Sequence, residues 1–224
     1  MLIPLILLSS FGGLVLFSAA GGSFQPYASL HLVRFIVFMV MAGLIARLSR
    51  DMIMLLAYPA YVGCLLLLLA VEVIGAVKGG SQRWLELGFM RLQPSELMKP
   101  TICLVLATYY ARLPLGMVPT FKALLPALGF VALPISLVLL QPDLGTSVAI
   151  AFTAFIVMFL AGLPLWWFGG AIAGAVVLAP VVFFFGLHDY QRERIHTMVD
   201  PNADPLGAGY QLLQGQIAIG SGGL

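Results

Sequence analysis

Apolar runs of roughly twenty residues recur along the whole chain, broken by short polar patches, and runs of that length match the apolar core of a bilayer. About seven such segments are predicted. They run from about Leu2 to Ala20, Leu32 to Ala46, Met52 to Val77, Leu97 to Arg112, Ala123 to Leu140, Leu144 to Leu163 and Leu165 to Leu187. Gly21-Gly22-Ser23 turns the first into the second. Pro59, Pro126 and Pro134 fall inside predicted helices, which membrane bundles tolerate because neighbours re-satisfy the freed carbonyls. Trp166 and Trp167 stand at the start of the last segment, where aromatic rings favour the membrane interface. The pattern predicts an all-α fold, a polytopic integral membrane helix bundle over residues 1–187, followed by a long aqueous loop over 188–224.

Three polar patches interrupt this pattern. The densest is Gly79 to Pro100, GGSQRWLELGFMRLQPSELMKP, with the connecting loop itself predicted over residues 78–98. The second, Gln141-Pro142-Asp143-Leu144-Gly145-Thr146, again sets Gln-Pro before an acid at a helix start. The third is the loop after Leu187, in which Tyr210, Leu213 and Ile217 are spaced for a weakly amphipathic helix lying on the membrane surface. Segment parity places all three patches on one side of the membrane. The chain stops in a glycine turn, Gly220-Ser221-Gly222-Gly223-Leu224, so a truncated chain is expected.

Composition sharpens the class. Apolar residues make up 61% and charged residues 9%, and mean hydropathy is +1.05, outside the range of soluble domains. A net charge of +2 without any basic run argues for no nucleic acid partner. Cys64 and Cys103 lie in apolar runs and read as buried small hydrophobes. His31, His188 and His196 lack metal-ligand spacing and read as loop or interface residues. Glu72, costly in lipid, should face the bundle or sit near an aqueous end. Residues 1–20 lack a basic start and read as a first span rather than a cleaved leader.

The patches carry the candidate chemistry. Pro94 suits a first helical position, Glu96 the first turn, and Lys99 the same face as Glu96. Arg83 and Arg91 add cations, and Trp84 an apolar plate, a set suited to a ligand with an anionic head and a lipid tail. Asp143 is expected to pair with Arg91 or Lys99; Arg192 and Arg194 are candidate phosphate ligands. Each feature also has a purely structural reading: interface tryptophan, helix-start ion pair, helix N-terminal acid, self-neutralised loop.

At these residues the chain resembles a known family. QRWLELGFMRLQPSELMKP, QPDLGTSVAI and DYQRERIHTMVDPNADPLGAGYQLLQGQIAIGSGGL are similar to the SEDS (shape, elongation, division and sporulation) proteins, more to the rod-shape branch than to the division branch. The resemblance implies a multi-pass protein of the bacterial inner (plasma) membrane with about ten spans. It implies a glycosyltransferase that polymerises lipid II into peptidoglycan during cell-wall growth, cell-shape maintenance and cell division. A class B penicillin-binding protein and other elongation-complex membrane proteins are the implied partners. It also sets Trp84, Arg91, Glu96, Lys99 and Asp143 at the substrate, and the patches on the extracytoplasmic side, although the bare count of Lys and Arg favours the opposite. The family's aspartate for catalysis lies beyond Leu224 in a His-Thr-Asp sequence, so this chain alone is expected to be inactive. A divalent cation (Mg or Mn) at the leaving diphosphate is compatible with that chemistry. The alternatives are a lipid II transporter, or a non-catalytic membrane partner of a penicillin-binding protein.

Overall fold

The computed structural model describes residues 2–78, 81–86, 91–114, 116–141, 143–186, 192, 195–197, 200, 202, 207 and 209–221. Helices α1 (Leu2–Ala19), α2 (Tyr27–Ile45), α3 (Arg50–Ile74), α4 (Pro94–Ala111), α5 (Phe121–Leu140), α6 (Leu144–Leu160) and α7 (Leu165–Val181) follow the seven predicted segments. A π-helical turn, Val182–Gly186, prolongs α7, and α8 (Tyr210–Gly220) covers the predicted surface helix. Among the described residues, five helical segments are long and apolar enough to cross a membrane, while α6 is shorter at 17 residues. The fold is an all-α polytopic membrane bundle with one β element. Boundaries shift where polar residues still favour helix: α2 begins at Tyr27 rather than Leu32, and α4 at Pro94 rather than Leu97.

The patch read as a loop forms a small antiparallel sheet, β1 (Ala76–Lys78), β2 (Ser81–Glu86) and β3 (Arg91–Leu92), in the order β1-β2-β3. Helix α3 ends three residues short of Val77 because Gly75 turns extended, at φ −68° and ψ 148°. Leu85 pairs with Leu92 and Glu86 with Arg91. Strand β2 packs against both α3 and α4.

The chain divides into two compact units, Met1–Val157 and Met158–Leu224. In the first, α3 is the central helix. Its buried residues Ala57, Tyr61, Cys64, Leu68 and Val71 alternate spacings of four and three, a seam of period 3.5. Helix α4 answers with Met98, Ile102 and Val105, fully buried, and Cys64 Sγ lies 3.5 Å from Thr101 Oγ1 across the seam. Lipid tails are as apolar as leucine, so this contact is held by close van der Waals fit and a few polar links rather than by exclusion of water. Cys64 is buried and Cys103 half-buried, as the apolar runs imply. His31 differs from the loop reading: it lies on α2, and its Nε2 is 3.0 Å from the Ser9 carbonyl of α1. In the second unit, Trp166 and Trp167 stack at the start of α7, with centroids 4.0 Å apart.

Proline placement explains one of the polar links. Pro134 in α5 has no N–H to give the carbonyl of Phe130, four residues earlier. The hydroxyl of Tyr61, on α3, donates to that carbonyl at 2.9 Å. The tyrosine and phenylalanine rings also meet edge to face, at 5.5 Å. Tyr61→Phe is expected to lower stability by about 1 kcal/mol. The loss should largely vanish in a Pro134→Ala background, where the alanine N–H takes over the carbonyl. Unfolding in mixed micelles reads both; equal losses in the two backgrounds would show that the hydroxyl does not compensate for the proline.

Candidate functional site

Three pieces meet at one end of the first unit: strand β2, the start of α4 and the turn from α5 into α6. Successive strand residues face opposite sides. Over Trp84–Glu86 this puts buried Leu85 on one face and half-buried Trp84 with exposed Glu86 on the other. Arg83 is the extra residue of a bulge, Ala76 pairing with Trp84 and Val77 with Gln82. The face with Glu86 is the outward one and continues into Arg91, cross-strand from Glu86.

The bulged residue meets the α5–α6 turn. Arg83 Nε donates to the Gln141 carbonyl at 3.4 Å, and its Nη1 lies 3.6 Å from Asp143 Oδ2. Gln141 is 2% exposed, and its Nε2 donates to the Leu68 carbonyl of α3 at 3.1 Å. Asp143 caps α6. Its Oδ1 accepts from the Thr146 N–H at 3.1 Å, its Oδ2 from the Thr146 hydroxyl at 2.9 Å, and its carbonyl from the Ser147 hydroxyl at 2.7 Å. A carboxylate at this position is favoured both by the cap and by the helix dipole. The turn is thus tied to α3, β2 and α6 by separate side chains.

The expected pairing of Asp143 with Arg91 or Lys99 is corrected: its partner is Arg83. The bulge in β2 gives Arg83 its reach to the turn, while Arg91 Nε pairs with Glu86 Oε1 at 3.3 Å and Lys99 Nζ with both Glu96 oxygens at 2.8 Å. Helix α4 starts as its sequence suggests, with Pro94 at the first position and Glu96 in the first turn.

Exposure separates the three pairs. Side chains of Arg83 and Asp143 are 20% and 10% exposed, against 57% and 52% for Arg91 and Glu86. Lys99 and Glu96 stand at 31% and 54%. Exposed pairs are worth about 0–1 kcal/mol, so Arg91 and Lys99 can exchange their acids for an anionic ligand at little cost. Removing one member of a buried pair costs several times more. Arg83 is therefore committed to the scaffold, whereas Arg91 and Lys99 are available. Trp84 lies on the same outward face of the hairpin as Glu86 and is half-buried.

Elsewhere, Glu72 is exposed in the last turn of α3. In the second unit, Arg192 donates from Nε to the Phe183 carbonyl at 3.1 Å and from Nη2 to that of Phe184 at 2.7 Å. It serves the open carbonyls of the π-helical turn, as a cation at a helix C-terminus does. Arg194, His188, Pro142, Asp189 and Glu193 lie outside the described residues. Among the described residues no three His, Cys, Asp or Glu side chains gather as a metal-ligand set. Asp143, whose two oxygens serve Thr146 and Arg83, does not fit that role, and no step is routed here through a metal.

The sequence offers Arg83 as a cation for a ligand and gives Gln141 and Thr146 no role of their own. One signal for the cap was present: Asp143 and Thr146 hold the cap and third helical positions.

Comparison with known proteins agrees with this architecture. The family model FtsW/RodA/SpoVE, described as "Cell cycle protein", matches residues 1–224, and the chain belongs to that family. Peptidoglycan glycosyltransferase MrdB of Escherichia coli K12 is 39% identical over 227 residues, covering 100% of this chain and 60% of MrdB. Probable peptidoglycan glycosyltransferase FtsW of Coxiella burnetii is 38% identical over 171 residues, covering 75% of this chain and 45% of FtsW. Among solved structures, a chain from a study of polymerization and crosslinking by a peptidoglycan synthase complex superposes with a TM-score of 0.75 at 33% identity. That match covers 99% of this chain and 66% of the other. Rod shape determining protein RodA of Thermus thermophilus gives 0.59 at 32% identity, covering 80% and 58%. The chain spans about 60% of the length of MrdB.

The cap can be tested apart from the ion pair. Asparagine caps helices as well as aspartate does, so Asp143→Asn is expected to lose only the pairing with Arg83, and Asp143→Ala both. The alanine variant should be about 1 kcal/mol less stable than the asparagine variant. Equal thermal unfolding of the two in detergent would remove the capping role.

Proposed function

We propose that this chain carries the substrate-holding part of a peptidoglycan glycosyltransferase that polymerises lipid II in the bacterial inner membrane. The observation that carries the reading is that Arg91 and Lys99, in the same polar patch as Trp84, pair with the exposed acids Glu86 and Glu96. A polyprenyl diphosphate presents two charged phosphates, and guanidinium and ammonium groups are suited to grip them. In this reading Arg91 and Lys99 hold the diphosphate, Glu96 orients Lys99 and Trp84 packs on sugar or lipid. Asp143, with Arg83, supports the hairpin. In the second unit, Arg192 and Arg194 keep only the candidate role of phosphate ligands that the sequence suggests.

The chemistry is displacement at the anomeric carbon of the donor. The acceptor 4-hydroxyl gives its proton to a base, its oxygen bonds to the anomeric carbon, and the bond to the lipid diphosphate breaks. Charge grows on that leaving group, and fixed cations beside it stabilise the transition state. The base is assigned by family resemblance to an aspartate beyond Leu224. The magnesium or manganese ion compatible with this chemistry would need ligands beyond the described cluster.

The relatives' names support the activity, and the synthase complex that superposes on this chain supports a class B penicillin-binding protein as partner, alongside other elongation-complex membrane proteins. A transporter would place ionisable groups near the bilayer midplane. Glu72, the residue that most suggested one, is instead at a helix end, which favours chemistry at the surface.

Arg91→Ala and Lys99→Ala should each weaken lipid II binding in nanodiscs about tenfold, the scale of one lost charge-assisted contact. Stability should fall by less than about 1 kcal/mol, as for other exposed pairs. Unchanged affinity would remove their assigned role. A polymerisation assay comparing the 224-residue chain with a form extended through the His-Thr-Asp sequence tests the base: glycan strands made by the shorter form would overturn its placement.

A further inference from the structure

We propose that Arg83 is the positioning residue of this site, fixing the hairpin that carries Trp84 and Arg91 onto the α5–α6 turn. The proposal rests on reading the outward face as the substrate-holding one. It deepens that reading by naming what sets the height and tilt of the face.

The hairpin is short, and its strand β2 packs on α3 and α4. Leu85 supplies apolar contact, at 5% exposure, but an apolar contact has no direction and does not fix a rotation. Arg83 does. Its planar guanidinium spans two acceptors on the turn, the Gln141 carbonyl and Asp143 Oδ2, from a side chain that is mostly buried. Both acceptors are themselves immobilised, Gln141 through the Leu68 carbonyl and Asp143 through the Thr146 N–H and hydroxyl. A chain of polar contacts therefore runs from α3 through the turn into β2. Arg83 is the bulged residue of β2, and the next residue is Trp84, half-buried and paired with Ala76. Any change in the guanidinium's seat is transmitted through one peptide unit to the indole.

Trp84 also supplies the readout. In a Trp166→Phe/Trp167→Phe background it is the remaining one of the protein's three tryptophans. Its emission maximum and its quenching by iodide report the hairpin alone. Arg83→Met and the double variant Arg83→Met/Asp143→Asn are expected to shift the emission to longer wavelength. Quenching should rise about twofold, and lipid II affinity in nanodiscs should fall about tenfold, the scale of coupling between contacting residues. The double variant leaves no buried charge without a partner, so it stands in should the single variant not fold. Arg83→Lys keeps the charge but loses the two-acceptor geometry and should fall between wild type and methionine in both readouts. Far-UV circular dichroism confirms that the bundle is retained.

Trp84 emission and quenching unchanged in the double variant would overturn the proposal. A tenfold loss of affinity with an unmoved Trp84 would also overturn it, because Arg83 would then act on the ligand directly. A moved Trp84 in a protein that never binds lipid II would support the positioning role and sink the substrate reading instead.

Discussion

A polar group inside an apolar bundle has no water to fall back on, and most of this architecture follows from that constraint. Each such group must find a partner in the protein. The Phe130 carbonyl, orphaned by Pro134, is met by Tyr61; the Gln141 amide is met by Leu68; Asp143 is met by Thr146 and Arg83. In the second unit, the Phe183 and Phe184 carbonyls are met by Arg192. Nearly all of these links join different elements, so satisfying the backbone and assembling the bundle are one process. Apolar contact between helices brings them close, and the polar links select which faces meet.

The same constraint sorts the charges by task. Where an ion pair is buried, loss of either member leaves a charge that nothing else can stabilise, so the pair behaves as scaffold. Water weakens an exposed pair and also makes it easy to exchange. Arg83 and Arg91 are both arginines in one hairpin, and exposure alone divides them into a fixed support and an available cation. The neighbouring acids Glu86 and Glu96 neutralise Arg91 and Lys99 where water reaches both partners.

Much of this was legible in the sequence, because the membrane simplifies the code. Twenty-residue apolar runs locate α1 to α7, and Pro94 with Glu96 marks the start of α4 so closely that the Glu96–Lys99 contact follows. What was not legible is cross-chain pairing. Nothing local to Asp143 distinguishes Arg83 from Arg91 as its partner; the choice depends on whether Gly79–Pro100 is loop or strand. The patch is rich in glycine and charge, which signals loop, while the strand signal in Gln82-Arg83-Trp84-Leu85 is short. For a similar reason, the loop reading of His31, one of two that its sequence allowed, gives way to a place on α2. Its value to α2 lies in Ser9 of α1, a partner that no periodicity within α2 reveals.

The bulge in β2 places two unlike duties on adjacent residues. Arg83 is the extra residue, set between Gln82, which pairs with Val77, and Trp84, which pairs with Ala76. Deleting it would make the pairing regular and take the guanidinium off the turn, re-aiming the strand that carries the indole. A point substitution here acts on one duty at a time, but a change in length acts on both. The spacing from α3 to Trp84 is therefore under tighter constraint than the identity of most residues within it. Variation in this hairpin should accumulate as replacements on its outer face rather than as changes in length.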